Sequence, residues 1–239
     1  MSDQKLIMEG WRDFLNKFTG GDKELDLYED LALWTFLYDG KFDIILYIPS
    51  KFSGQNPVID EENLPTVVAY LQMGILSSNK TPCIPDTWQV KYTATAEEFQ
   101  KKGLGSMMYE IAATYAKLSG DGGITSDHVA MTSDQASRRW NKLLSSPNFE
   151  KRETDKGSDT FDYSGKETPN DPNDDCVAPK DSKNTVDHSV QIKNDVKEKI
   201  DKFKANHKKY LKFSKLGKQL NHVLLKKASE VFNKAFANR

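Results

Sequence analysis

Hydrophobic positions along this chain keep two different periods, and the switch between them marks its elements. Leu31–Tyr38 and Phe42–Ile48 are apolar-rich runs of strand length on either side of Asp39-Gly40. That dipeptide is a strong hairpin signal, because both residue types tolerate the positive φ of a two-residue turn. Thr66–Leu76 and Trp88–Thr95 read as third and fourth strands, and from Ser106 to Lys117 the run becomes helix-like. Gly123-Ile124-Thr125 predicts a short fifth strand, and Ser133–Leu144 a second helix with Ser133 or Asp134 as its N-cap. Phe149 and Phe161-Asp162-Tyr163 then supply a closing hairpin.

The two ends of the chain read differently. Leu6, Ile7, Trp11, Phe14, Leu15 and Phe18 recur at helical spacing until Gly20-Gly21, which predicts an amphipathic helix over Lys5–Phe18 docked on the domain. Gly165–His188 is rich in Asp, Asn, Lys, Ser and Pro and nearly free of large apolar residues, so it reads as a linker. Beyond it, Ile192, Val196, Ile200 and Phe203 keep helical spacing, followed by Leu216, Leu220, Val223, Leu224, Ala228, Val231, Phe232 and Ala235. Gly217 costs a helix about 1 kcal/mol relative to Ala, so the tail is expected to form a helical hairpin or one long kinked helix. Its apolar stripe must be covered by the preceding domain, by another copy or by a partner. The chain thus divides into an N-terminal helix (1–21), a main domain (22–164), an acidic linker (165–189) and a basic helical tail (190–239).

Charge sharpens that division. The whole chain of 239 residues carries a net −1, but residues 1–149 carry −6, 150–189 carry −5 and 190–239 carry +10. In the tail, Lys204, Lys208, Lys209, Lys212, Lys215 and Lys218 cluster, with Tyr210 and Phe213 between them. Such a stripe could neutralise nucleic-acid phosphates in a sequence-tolerant, salt-sensitive way, or simply keep a solvent-facing helix soluble. The two cysteines, Cys83 and Cys176, are far apart, which suits a reducing cytoplasmic setting. His128, His188, His207 and His222 are scattered and show no zinc spacing. No run approaches the ~20 apolar residues of a membrane span, and the N-terminus lacks a secretory pattern.

The segment with the clearest chemistry is Gln100-Lys101-Lys102-Gly103-Leu104-Gly105, set between a strand and a helix. Glycines let backbone approach an anion, and the free N–H groups and dipole of the helix start attract negative charge. Gln-x-x-Gly-x-Gly after a strand resembles the acyl-CoA pyrophosphate loop of the GNAT acetyltransferases. The resemblance covers about Leu31 to Tyr163 and implies an α/β fold, a mixed and mostly antiparallel sheet with flanking helices. It implies acetyl-CoA as co-substrate, with its pyrophosphate on the N–H groups from Lys101 to Ser106, within a site formed by Gln100, Lys101, Lys102, Gly103, Leu104, Gly105 and Ser106. Ala94 and Thr95 would offer backbone to the pantetheine arm. An acceptor amine would attack the thioester directly.

The family's usual chemistry is only partly represented. Its helix after the fifth strand commonly carries Asn-x-x-Ala-x-x-x-Tyr, where the Tyr protonates the departing thiolate. Alignment on Ala136 puts Ser133 at the Asn position and Trp140 at the Tyr position, and an indole cannot serve as that acid. Tyr109 and Tyr115, on the preceding helix, are the alternatives. Glu97 and Glu98 sit where exposed loop carboxylates are expected rather than where a base is needed. The family's two helices between strands one and two have no room here. Ile124-Thr125-Ser126-Asp127, Ala136 and Trp140-Asn141-Lys142-Leu143 also look like GNAT-like proteins of tailed bacteriophages. Ile7-Met8-Glu9 before Gly10 resembles the cleavage sequence of head-maturation proteases of some large tailed phages.

Two functions follow as expectations. One is an N-acetyltransferase using acetyl-CoA and an amine acceptor, with the tail recruiting the acceptor. The other is a phage-encoded structural or interaction protein, cytoplasmic or in the virion, whose tail binds a protein or nucleic acid. Ser126-Asp127-His128 is expected to be a loop and not a catalytic triad. Asp171, Asp174 and Asp175 lack the spacing of a calcium loop. Trp11, Trp34, Trp88 and Trp140 are read as core or interface anchors, Met107 and Met108 as core filling, and Ser50–Leu64 as a surface loop.

Overall fold

A computed structural model of the chain describes residues 31–49, 64–75, 87–120, 123–127, 132–153, 188–211 and 216–237. The expected helix at Lys5–Phe18, the Ile7-Met8-Glu9 segment and Phe161–Tyr163 lie outside these residues, as do nearly all of Ser50–Leu64 and of the linker. The fold is α/β, built on an open seven-stranded sheet in the order β1-β2-β3-β4-β5-β7-β6. The strands are β1 (Ala32–Tyr38), β2 (Lys41–Ile48), β3 (Thr66–Ile75), β4 (Trp88–Thr95), β5 (Ile124–Ser126), β6 (Phe149–Glu153) and β7 (His188–Ile192). Among the described residues four helices accompany them: α1 (Leu104–Ser119), α2 (Asp134–Ser145), α3 (Lys197–Leu211) and α4 (Leu216–Ala237). Asp39 and Gly40 take φ of 45° and 68°, the paired positive angles that let β1 fold directly onto β2. All pairings are antiparallel except β4 with β5.

The closing hairpin differs from expectation. The strand beside β6 is His188–Ile192, in register from Phe149↔Ile192 to Glu153↔His188, and it also pairs with β5. Residues 188–192, read as the end of a linker and the start of a helical tail, are therefore a strand in the middle of the sheet's second half. Ile192, Val196 and Ile200 do keep a helical spacing, but Val190 and Ile192 are both buried at a period of two, and α3 begins only at Lys197. Gly123 makes this insertion possible. Its φ is +72°, and a Cβ there would stand 2.5 Å from the Val190 carbonyl oxygen.

The sheet is covered on both faces. Leu33, Ile44, Leu46, Leu71 and Met73 point to one side, against Met108, Ile111 and Ala112 of α1 and Trp140 and Leu143 of α2. Their alternate neighbours Trp34, Ile45, Tyr47 and Tyr70 point to the other, against Leu220, Leu224 and Ala228 of α4. Helix α3 runs along the edge strand β1 and joins the two cores. Ile200 and Phe203 enter the first, Asn206 Nδ2 donates to the Leu31 carbonyl oxygen at 2.9 Å, and His207 Nδ1 lies 2.6 Å from the Tyr47 hydroxyl on the second face. The first half of β1, Ala32–Trp34, is buried, whereas Phe36–Tyr38 stay exposed. So the apolar stripes of the tail are covered by their own sheet. Gly217 falls in the first turn of α4, where a glycine disturbs a helix least.

Candidate functional site

Strand β4 ends at Thr95, and the chain turns through a short 3-10 segment (Glu97–Phe99) before α1. Gln100 braces this turn by donating from Nε2 to the Thr95 carbonyl oxygen at 3.3 Å. Lys101 and Gly103 adopt left-handed φ of 64° and 77°, which swings the backbone into the helix. The Gly103 carbonyl oxygen accepts from Ser106 N at 3.0 Å and Met107 N at 3.1 Å. The N–H groups of Gly103, Leu104 and Gly105 have no acceptor among the described residues. No acidic residue occupies the first turn of α1 and no side chain caps it, so the positive end of its dipole is uncompensated. Lys101 is exposed, and the Lys102 ammonium lies 5.8 Å from the Phe99 ring centroid.

A residue not singled out in the sequence completes this end. Arg139, on α2, reaches across to α1 and donates from Nη1 to Ser106 Oγ at 2.5 Å. A Cβ at Gly105 would meet the Arg139 Nη2 at 2.9 Å, so the second glycine of the motif makes room for a guanidinium. No carboxylate pairs with Arg139 among the described residues. A cation held at the positive end of a helix gains nothing from the dipole. The arrangement is complementary to an anion. No local pattern announces Arg139, since its position depends on the packing of α2 against α1.

The fourth and fifth strands part beside this turn. Their parallel pairing runs only from Trp88↔Ile124 to Val90↔Ser126. A bulge in β4 sits at the same level: Met73 faces Val90 and Gln72 faces Tyr92, so Lys91 is the extra residue. From Lys91 to Thr95, β4 pairs with β3 and with no other strand among the described residues. Ala94 and Thr95 lie on that stretch, Ala94 buried and Thr95 half-buried. Lys91 Nζ bonds Gln89 Oε1 at 2.5 Å and Asp127 Oδ1 at 2.7 Å, an ion pair spanning the point of divergence. Asp127 is thus a structural partner of Lys91.

The residues weighed as acids or bases fall elsewhere. Trp140 is only 2% exposed and packs edge-on against Tyr109, ring centroids 5.1 Å apart. Burial pushes the Tyr109 phenol well above its ordinary range, with the Arg139 charge a smaller opposing influence. Tyr115 lies against Phe42 at 4.9 Å and under the Lys204 ammonium at 4.8 Å. Ten residues along α1 from Gly105, it stands about 15 Å from the cradle. Ser133 is the N-cap of α2, accepting from Ala136 N at 3.3 Å. Glu97 and Glu98 are exposed. Among the described residues there is no cluster of three or more His, Cys, Asp or Glu that could hold a metal ion, and no helix long and apolar enough to cross a membrane.

Compared with protein-family models, with curated proteins and with solved structures, the chain matches none.

Proposed function

We propose that this chain binds an acyl-CoA and is a GNAT-like N-acetyltransferase, using acetyl-CoA with an amine acceptor, in which the leaving thiolate receives little help. The observation that carries the reading is the start of α1. There, N–H groups without an acceptor among the described residues and the Arg139 guanidinium lie together, the N–H groups beside Lys101 and Lys102 in sequence. They come directly after a strand with no second strand partner among those residues from Lys91 to Thr95. The pyrophosphate would lie on the Gly103, Leu104 and Gly105 N–H groups, with Arg139 adding a bidentate donor. The pantetheine arm would pair with β4 at Ala94 and Thr95, on the edge away from β3, as a further strand would. An amine attacking the thioester would need its tetrahedral oxyanion stabilised by a β4 backbone N–H. With Trp140 in the core, Tyr109 buried and Ser133 engaged as a cap, none of these side chains is placed to protonate the thiolate, so turnover is expected to be slow.

The second reading, a phage-encoded structural or interaction protein, is favoured by that same lack of an acid. Calorimetric titration with acetyl-CoA separates the two. Micromolar binding to the intact protein, weakened at least about tenfold in both Gly103→Glu and Arg139→Ala, supports the acyl-CoA reading. No binding to the intact protein rejects it and leaves the interaction protein.

A further inference from the structure

The second face of the sheet holds a buried carboxylate whose chemistry nothing above uses. Asp43, on β2, is 0% exposed. Its Oδ1 accepts from the Tyr70 hydroxyl at 2.9 Å and from Gln72 Nε2 at 2.8 Å. Its Oδ2 is buried and has no hydrogen-bond partner. No Lys, Arg or His side chain pairs with Asp43 among the described residues. A buried carboxylate without a counter-charge is among the most unfavourable arrangements a fold can hold.

Around it the side chains are aromatic. Gln72 Nε2 also approaches the hydroxyls of Tyr70 at 3.2 Å and Tyr38 at 3.4 Å. Trp34, Phe36 and Tyr38 form a stacked ladder along β1, with centroids 5.4 and 5.3 Å apart. Tyr92, opposite Gln72 in register, packs on Phe232 of α4 at 4.8 Å. Phe36, Tyr38 and Tyr92 are 42%, 37% and 44% exposed, so the cluster reaches the surface through these three rings. Burial, then the charge of Asp43 and a hydrogen bond to it, raise the pKa of the Tyr38 and Tyr70 phenols, which keeps both neutral beside the carboxylate.

We propose that Asp43 and the tyrosines around it form a binding site for an alkylammonium group. Three N–H donors of one ammonium match the free Oδ2 and the tyrosine oxygens, and aromatic faces attract a cation that inorganic ions would approach only with their water. A hard divalent metal would need more charged oxygens than this single carboxylate. The site lies on the sheet face opposite α1, two strands (about 10 Å) from the bulge of β4. The inference does not rest on acyl transfer. If both hold, Asp43 anchors the positive end of an acceptor.

The test is an NMR titration of the full chain with n-propylammonium chloride, using sodium chloride at equal ionic strength as reference. Saturable shifts with a millimolar dissociation constant are expected, at least about tenfold weaker in Asp43→Asn and roughly threefold weaker in Tyr92→Ala. Without ligand, Asp43→Asn should melt no lower than the parent protein, and only the parent should gain from propylammonium. Tyr92→Ala removes an exposed ring, so it carries the test if Asp43→Asn fails to fold. Absence of saturation up to about 50 mM, or equal responses to sodium, overturns the proposal. So does a lower melting temperature in Asp43→Asn without an ammonium effect on the parent.

Discussion

The two faces of the sheet are packed alike and finished differently. On the α1 face, a large core ends at a helix start where N–H groups and Arg139 stand with no acid in the first turn and no carboxylate on Arg139 among the described residues. On the α4 face, beside a smaller core, the Asp43 carboxylate has no Lys, Arg or His partner among the described residues. The difference teaches that one sheet can carry opposite electrostatic character at its two faces.

Removing the packing of either face should have the largest effect. Trp140→Ala empties the space beside Tyr109 and should lose about 3–5 kcal/mol in urea unfolding, and Leu224→Ala, at the centre of the second core, about 2–5 kcal/mol. If Leu224→Ala left stability unchanged, α4 would not be holding its face. Gly123→Ala should come next. The added Cβ meets the Val190 carbonyl oxygen, and a loss of roughly 2–3 kcal/mol is expected, felt at the β5–β7 join rather than on either helix face.

Acid should separate the faces without mutation. Burial lowers the His207 pKa from 6.5 to about 4. Above pH 6.5 this ring is neutral in both folded and unfolded chains and contributes no pH dependence. As pH falls from about 6.5 to about 4 the unfolded chain takes up the proton first. Stability should therefore drop by roughly 2–3 kcal/mol over that window. His207→Asn should flatten this part of a urea-unfolding profile measured from pH 7.5 to 4.5, and an unchanged slope would show that His207 is not its source. The smallest effect on folding belongs to Arg139→Ala. It should change stability by less than about 0.5 kcal/mol, while weakening acetyl-CoA at least about tenfold. A large loss of stability instead would make Arg139 a strut between α1 and α2.

The amino-acid order by itself determined the local elements. Asp39-Gly40 specifies a hairpin because few residues accept two positive φ angles in succession. Strands β1 to β4, the helix after Gly103 and the Ser133 cap follow from short-range period and turn chemistry, and so does the cradle motif from Gln100 to Gly105. Tertiary structure decided what depends on residues distant in sequence. His188–Ile192 became a strand because the gap between β5 and β6 offers hydrogen bonds and burial that outweigh the helical spacing of Ile192 and Val196. The tail's stripe found its cover in the sheet, Trp140 became core, and Arg139 came to rest on Ser106, thirty-three positions away. Asp43 met Tyr70 and Gln72 only when β2 and β3 paired. A side chain's chemistry is written locally, but whether its charge is answered depends on which distant groups the packed chain sets beside it.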